Sequence, residues 1–180
     1  VLPLVFTMSD DEIHGLHTRG DAYVCSSRAE GWGLPVFDAL GHGKTVITNG
    51  AGGLNEFVAQ DNSLVYSGMP TYFFDTQHSD PGLYTGLEQC FEPCIPMMAL
   101  TMRNFHMLRK GSQQGSLTGE AEQQWNTVLT KRNNAKLVGQ KYDYRRTWPI
   151  ITKNLHTMLT MWKKTGVIVF DETFEKSREV

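Results

Sequence analysis

Cysteine is scarce: Cys25, Cys90 and Cys94 are the only three in 180 residues, an odd and sparse set that forms no disulfide framework. A reducing, cytoplasmic setting is the expectation. Cys90 and Cys94 have neither zinc nor redox spacing and no His-x-x-x-His partner nearby, so both are expected in packing. Cys25, in the apolar run Ala22-Tyr23-Val24-Cys25, reads as a buried strand residue. Charge of one sign is lacking too. With 17 Lys+Arg against 19 Asp+Glu, the net charge is -2, which leaves no surplus of cations for nucleic acid or an anionic membrane. No apolar run reaches the ~20 residues of a membrane span, and the first residues lack the layout of a signal peptide. Residue 1 is Val rather than Met, so upstream sequence is expected to be missing. A Gly-x-Ser-x-Gly elbow, a Walker loop and a Gly-x-Gly-x-x-Gly fingerprint are all absent, and hydrolase, nucleotide-triphosphatase and dinucleotide-binding readings fall away.

The first third of the chain alternates short apolar runs with amphipathic segments. Val1 to Phe6 reads as a strand, with Pro3 suited to a strand end or edge. Ser9-Asp10-Asp11-Glu12 is a capping-box pattern, so a helix starts there and ends at Gly20. Asp21 to Ser26 is a second strand, and Pro35 opens a helix that runs to Gly43. Thr45 to Thr48 is a β-branched third strand, Leu54 to Gln60 a short helix, and Ser63 to Tyr66 a fourth strand. Strands alternating with short helices define an α/β, Rossmann-like parallel sheet. Gly68 to Leu87 reads as a packed covering loop, and Pro96 to Leu108 as a helix with Met98, Met102 and Phe105 on one face. Gly111 to Gly119 is expected to be a flexible loop. Two helices close the chain, Glu120 to Leu137 and Thr147 to Lys164, the second with Ile151, Leu155, Met158, Leu159 and Trp162 in one stripe. The tail carries a β-branched run, Val167 to Phe170. Residues 1–66 thus form the core, 67–119 a covering loop and helix, and 120–180 closing helices and a tail, in a single domain.

The densest chemical signal runs from Ser26 to Leu40. Two carboxylates, Glu30 and Asp38, flank a loop containing Gly31, Trp32 and Gly33 that feeds a helix start. Such a loop offers backbone N–H groups at a helix N-terminus to phosphate or sugar oxygens. Glu30 can accept hydrogen bonds from sugar hydroxyls, and Asp38, one turn into the helix, can reach a vicinal diol. Taken alone, the loop reads equally as a tight turn whose Trp32 packs the core, with Asp38 paired to Lys44. His14 and His17, three apart on a helix, lack an evident third ligand and read as solvated histidines. His42, near the end of the next helix, suits its negative dipole end.

The segment from Asp21 to Val58, with Glu30-Gly31-Trp32-Gly33-Leu34-Pro35 followed by Gly52-Gly53-Leu54-Asn55-Glu56, resembles the C-terminal domain of retaining glycosyltransferases of family four. Weaker likeness continues at Glu92 to Arg103 and Tyr142 to Leu155. The resemblance implies half of a GT-B architecture of two Rossmann-like domains. It implies Glu30 as the catalytic residue that hydrogen-bonds the donor sugar, with Gly31, Trp32, Gly33 and Leu34 receiving sugar hydroxyls and phosphate oxygens through their backbone. Asp38, where the family has Glu, would hold the ribose. Lys44, Thr45 and Asn55 also depart from the pattern. The implied reaction moves a hexose from a nucleotide diphosphate sugar to a glycan, lipid or protein acceptor, with no metal and no cofactor beyond that co-substrate. The acceptor-binding N-terminal domain and the first βα units are not in this sequence, so a missing domain or partner chain is implied, and self-association is expected. Arg28 and Lys44 are the only cations near the motif, and Arg28 reads as a salt-bridging residue. A non-catalytic or split module that docks on a partner chain is the alternative.

Overall fold

A computed structural model describes residues 7–72 and 88–165. The expected Val1 to Phe6 strand, the stretch 73–87 of the covering loop and the Val167 to Phe170 run lie outside the described residues. The chain divides into two units, Val1–Gly139 and Gln140–Val180.

In the first unit, Ser9 caps α1 (Asp10–Arg19) as the capping box requires: its N–H donates to Glu12 Oε2 at 2.8 Å, and the Glu12 N–H donates to Ser9 Oγ. β1 (Ala22–Cys25), β2 (Thr45–Thr48) and β3 (Leu64–Val65) then form a parallel sheet in that order, with Cys25 opposite Thr48 and Thr48 opposite Val65. Between β1 and β2 lies α2 (Leu34–Gly41), which starts with Pro35 in its first turn and buries Val36, Ala39 and Leu40. Every residue of β2 is buried, as a central parallel strand covered on both faces should be.

Several elements differ from the sequence reading. The helix expected at Leu54 to Gln60 is instead a 3₁₀ turn, Gly52–Glu56, which begins earlier because Ala51 and Gly52 already carry the turn. The loop expected from Gly68 is, in its first part, β4 (Gly68–Tyr72), paired antiparallel with β5 (Gln89–Pro93) in a second sheet. Pro70 and Gly68 masked it, as expected of residues that disfavour central strands. α3 (Ile95–Gln113) runs through Gly111 rather than ending at Leu108, and a Cβ on Gly111 would overlap the Leu117 side chain. Gly111 thus belongs to the helix and marks a close return of the chain, and the expected loop is confined to residues 114–118. Met102 is 41% exposed, whereas Phe105 packs with Ile47, Tyr66, Val128, Met98 and Trp125 in a core on one face of the sheet. α4 (Gly119–Lys141) supplies Val128 and Trp125 to that core. It also ties down carbonyls: Lys131 donates to Ser63, Arg132 to Gly43 and Asn134 to Asp61.

All three cysteines are free; Cys25 and Cys90 are buried. In the second unit, α5 (Tyr144–Thr165) follows Asp143, whose Oδ1 accepts from the Arg145 N–H at 2.8 Å.

Candidate functional site

Because β1, β2 and β3 are parallel and in step, the segments that follow them meet at one edge of the sheet, where open α/β folds place ligands. Main-chain carbonyls from the end of β1 and the segment after it receive bonds from all the others. The Tyr66 hydroxyl donates to the Cys25 carbonyl at 2.9 Å, Asn49 Nδ2 to the Ser27 carbonyl at 3.1 Å, and the Gly53 N–H to the Glu30 carbonyl at 2.8 Å. The Phe91 N–H, from β5, donates to the Arg28 carbonyl at 2.8 Å. Asn49 Oδ1 also accepts from the Ala51 N–H, closing a local turn of the kind Asn favours.

The glycines explain how closely the two loops approach. Gly52 sits at φ +68°, and a Cβ there would lie 2.7 Å from the Glu30 carbonyl oxygen; a Cβ on Gly53 would overlap the Gly31 carbonyl. Gly33, at φ +77°, is the N-cap of α2. The backbone of Glu30-Gly31 therefore rests directly on that of Gly52-Gly53.

This packing gathers Glu30, Gly31, Trp32, Gly33 and Leu34 into one loop at the start of α2. Glu30 is half-buried, and burial first, then Cys25 and then Glu30 raise the Tyr23 phenol above its ordinary range. Trp32 turns its ring toward Phe57, 5.1 Å away, and Phe37, 6.0 Å away. Core packing by the ring and ligand contact by the backbone are thus compatible. The first turn of α2 holds no acidic residue, so its positive end is not neutralised there. Asp38 lies exposed on the second turn, and its charge reaches His17 of α1.

The nearby cations are engaged elsewhere. Arg28 Nε pairs with Glu92 at 2.7 Å, as its salt-bridging reading anticipates. Lys44 does not pair with Asp38 but donates to the Thr18 carbonyl at 2.8 Å. A cavity of about 370 Å³ lies apart from this loop, lined by Ala22, Val24, Ile47 and Phe105 with Arg109 and Lys110 at its rim. The contacts of Asn49, Tyr66 and the Gly52-Gly53 pair are what the sequence reading missed. The Gly52-Gly53 pair, in the turn that follows β2, was the available signal for the last of these.

Residues 3–71 match the family model described as Glycosyl transferases group 1. The match spans the parallel sheet and the loops that follow its strands, though not Phe91 of β5, and it supports a glycosyltransferase function for a Rossmann-like α/β domain. No curated protein and no solved structure matches the chain.

Proposed function

We propose that the chain is the donor-binding part of a retaining glycosyltransferase that moves a hexose from a nucleotide diphosphate sugar to a glycan, lipid or protein acceptor. The observation that carries this reading is the Glu30-Gly31 backbone seated on Gly52-Gly53 at the start of α2, inside the segment that matches the family model. Glu30 accepts hydrogen bonds from sugar hydroxyls and orients the ring. The N–H groups of Gly31 to Leu34, at the positive end of α2, receive sugar and phosphate oxygens and stabilise the charge that gathers on the departing phosphate. Asp38 holds the ribose hydroxyls.

Calorimetry with matched nucleotide diphosphates, with and without the sugar, tests the assignment. The sugar should add affinity in the parent chain and add none in Glu30→Ala; an undiminished increment in the variant removes Glu30 from this role. The engagement of Arg28 with Glu92 and of Lys44 with Thr18 favours a second reading, a module that depends on another domain or chain for its diphosphate anchors. That reading requires weak donor binding and no turnover by the 180 residues alone.

A further inference from the structure

Helix α1 has no buried residue, and Ile13 and Leu16 on its apolar side remain 40% and 48% exposed. Apolar burial of α1 side chains therefore contributes little to holding it. Beside the Lys44 bond to the Thr18 carbonyl, two imidazoles of α1 meet a third from the end of α2. His14 Nδ1 and His42 Nε2 lie 2.8 Å apart, and the His17 ring stacks on His42 with centroids 5.1 Å apart and planes 19° apart. His42 is the third imidazole that the sequence reading of His14 and His17 lacked.

The hydrogen bonds determine how many protons the His14–His42 pair can hold. His42 Nδ1 lies 2.8 Å from the Asp38 carbonyl oxygen; a carbonyl only accepts, so Nδ1 carries hydrogen. In neutral His42, Nε2 is then the acceptor for the His14 Nδ1–H. One added proton keeps this bond, because a single ring becomes cationic and the other still supplies a lone pair. A second makes both facing nitrogens donors, and the bond is lost.

The surroundings oppose added charge. Lys44 lies beside the cluster, Arg132 donates to the Gly43 carbonyl at 2.8 Å, and the Lys136 stem lies over Gly43. Glu12 is occupied with Ser9. Tyr23 stands 6.0 Å from the His17 ring. Burial, then the neighbouring His42, hold His17 below the ordinary imidazole range, with His14 and Lys44 acting in the same direction and Asp38 opposing them. The described residues contain no group of three His, Cys, Asp or Glu arranged to hold a metal ion; stacked rings keep their lone pairs in nearly parallel planes instead of aiming them at one point.

We propose that His14, His17 and His42 form a proton-sensitive latch that docks α1 against the end of α2 near neutral pH and releases it when the hydrogen-bonded His14–His42 pair takes up a second proton. The sign follows from linkage: released α1 binds more protons than docked α1, so docking strengthens as pH rises and is lost as pH falls below the ordinary imidazole range.

Amide hydrogen exchange on the whole chain, corrected for intrinsic rates, tests this between about pH 7.5 and about pH 5.5, a window that leaves carboxylates ionised. Protection of Leu16 to Arg19 should fall roughly five-fold or more relative to Val46 to Thr48, about the repulsion of two partly solvated charges at this spacing. His42→Gln, which takes up no proton, should flatten the α1 profile. Should that variant fold poorly, His17→Gln should reduce the dependence. A flat profile in the parent, an unchanged slope in the variants, or parallel loss of protection in β2 overturns the proposal. So does zinc chloride that raises α1 protection at neutral pH, since the cluster would then be a metal site.

Discussion

Gly53 separates two kinds of glycine in this chain. A Cβ there would overlap the Gly31 carbonyl, whereas one on Gly15, midway along α1, meets nothing within 4 Å. Gly53→Ala should therefore destabilise the fold by ~2 kcal/mol or more and weaken donor binding with it. Gly15→Ala should add ~0.5–1 kcal/mol through helix propensity. Urea unfolding monitored by circular dichroism measures both. The Thr45 hydroxyl is buried and has no hydrogen-bond partner among the described residues. Thr45→Val should accordingly be neutral or stabilising by up to ~1 kcal/mol in the same assay. Tyr66→Phe should cost ~1–2 kcal/mol, because the Cys25 carbonyl loses its buried donor. None of these contacts was legible in the sequence, where Thr45 and Tyr66 read as strand residues and Thr45 also as a departure from the family pattern. Their partners lie far along the chain, and alternation or spacing carries no information about which carbonyl a hydroxyl will meet. Glu30, Gly31 and Gly33 were legible as a loop at a helix start because that signal is contained in adjacent residues.

Elements whose signals are local were readable with boundaries within a few residues: α1 from its capping box, β2 from its β-branched run between glycines, α2 from Pro35. β4 and β5 were not, since a two-strand antiparallel ribbon owes its existence to the pairing of Gly68 with Pro93 through Tyr72 with Gln89, and each strand alone has weak strand character. The helix caps predict a response to acid. Bonds from the Ser9 backbone and side chain hold the Glu12 carboxyl below its ordinary value, and Arg145 lowers Asp143 to about 2. A depressed carboxyl pKa contributes stability above the unfolded value and loses it as pH falls through the folded one. The first turn of α1 should therefore fray below about pH 4 and that of α5 as pH falls toward about 2, Glu12→Gln should remove this carboxyl step in α1 and leave that in α5, and amide exchange resolves the two helices separately.

For the molecule as a whole, β1 pairs with β2 among the described residues, and an edge of a parallel sheet that is left open offers unpaired backbone groups to another strand. Light scattering should show self-association of the chain that weakens on dilution; a monomer at every concentration would remove this edge as a docking element. The loops after β1 and β2 have a separate consequence. The segment from Ser27 to Gly31 is fixed through its carbonyls, by Asn49, Gly53 and Phe91, and through glycine packing, while Ala29 projects from it exposed and Leu34 lies exposed just beyond it at the start of α2. Its shape is thus written in main-chain atoms and in a few distant residues, not in the side chains that would face a ligand. Such a loop can exchange its outward side chains with little change in geometry, so a change of substrate preference need not pass through a misfolded intermediate. The architecture separates what must stay constant for the chain to fold from what is free to diverge.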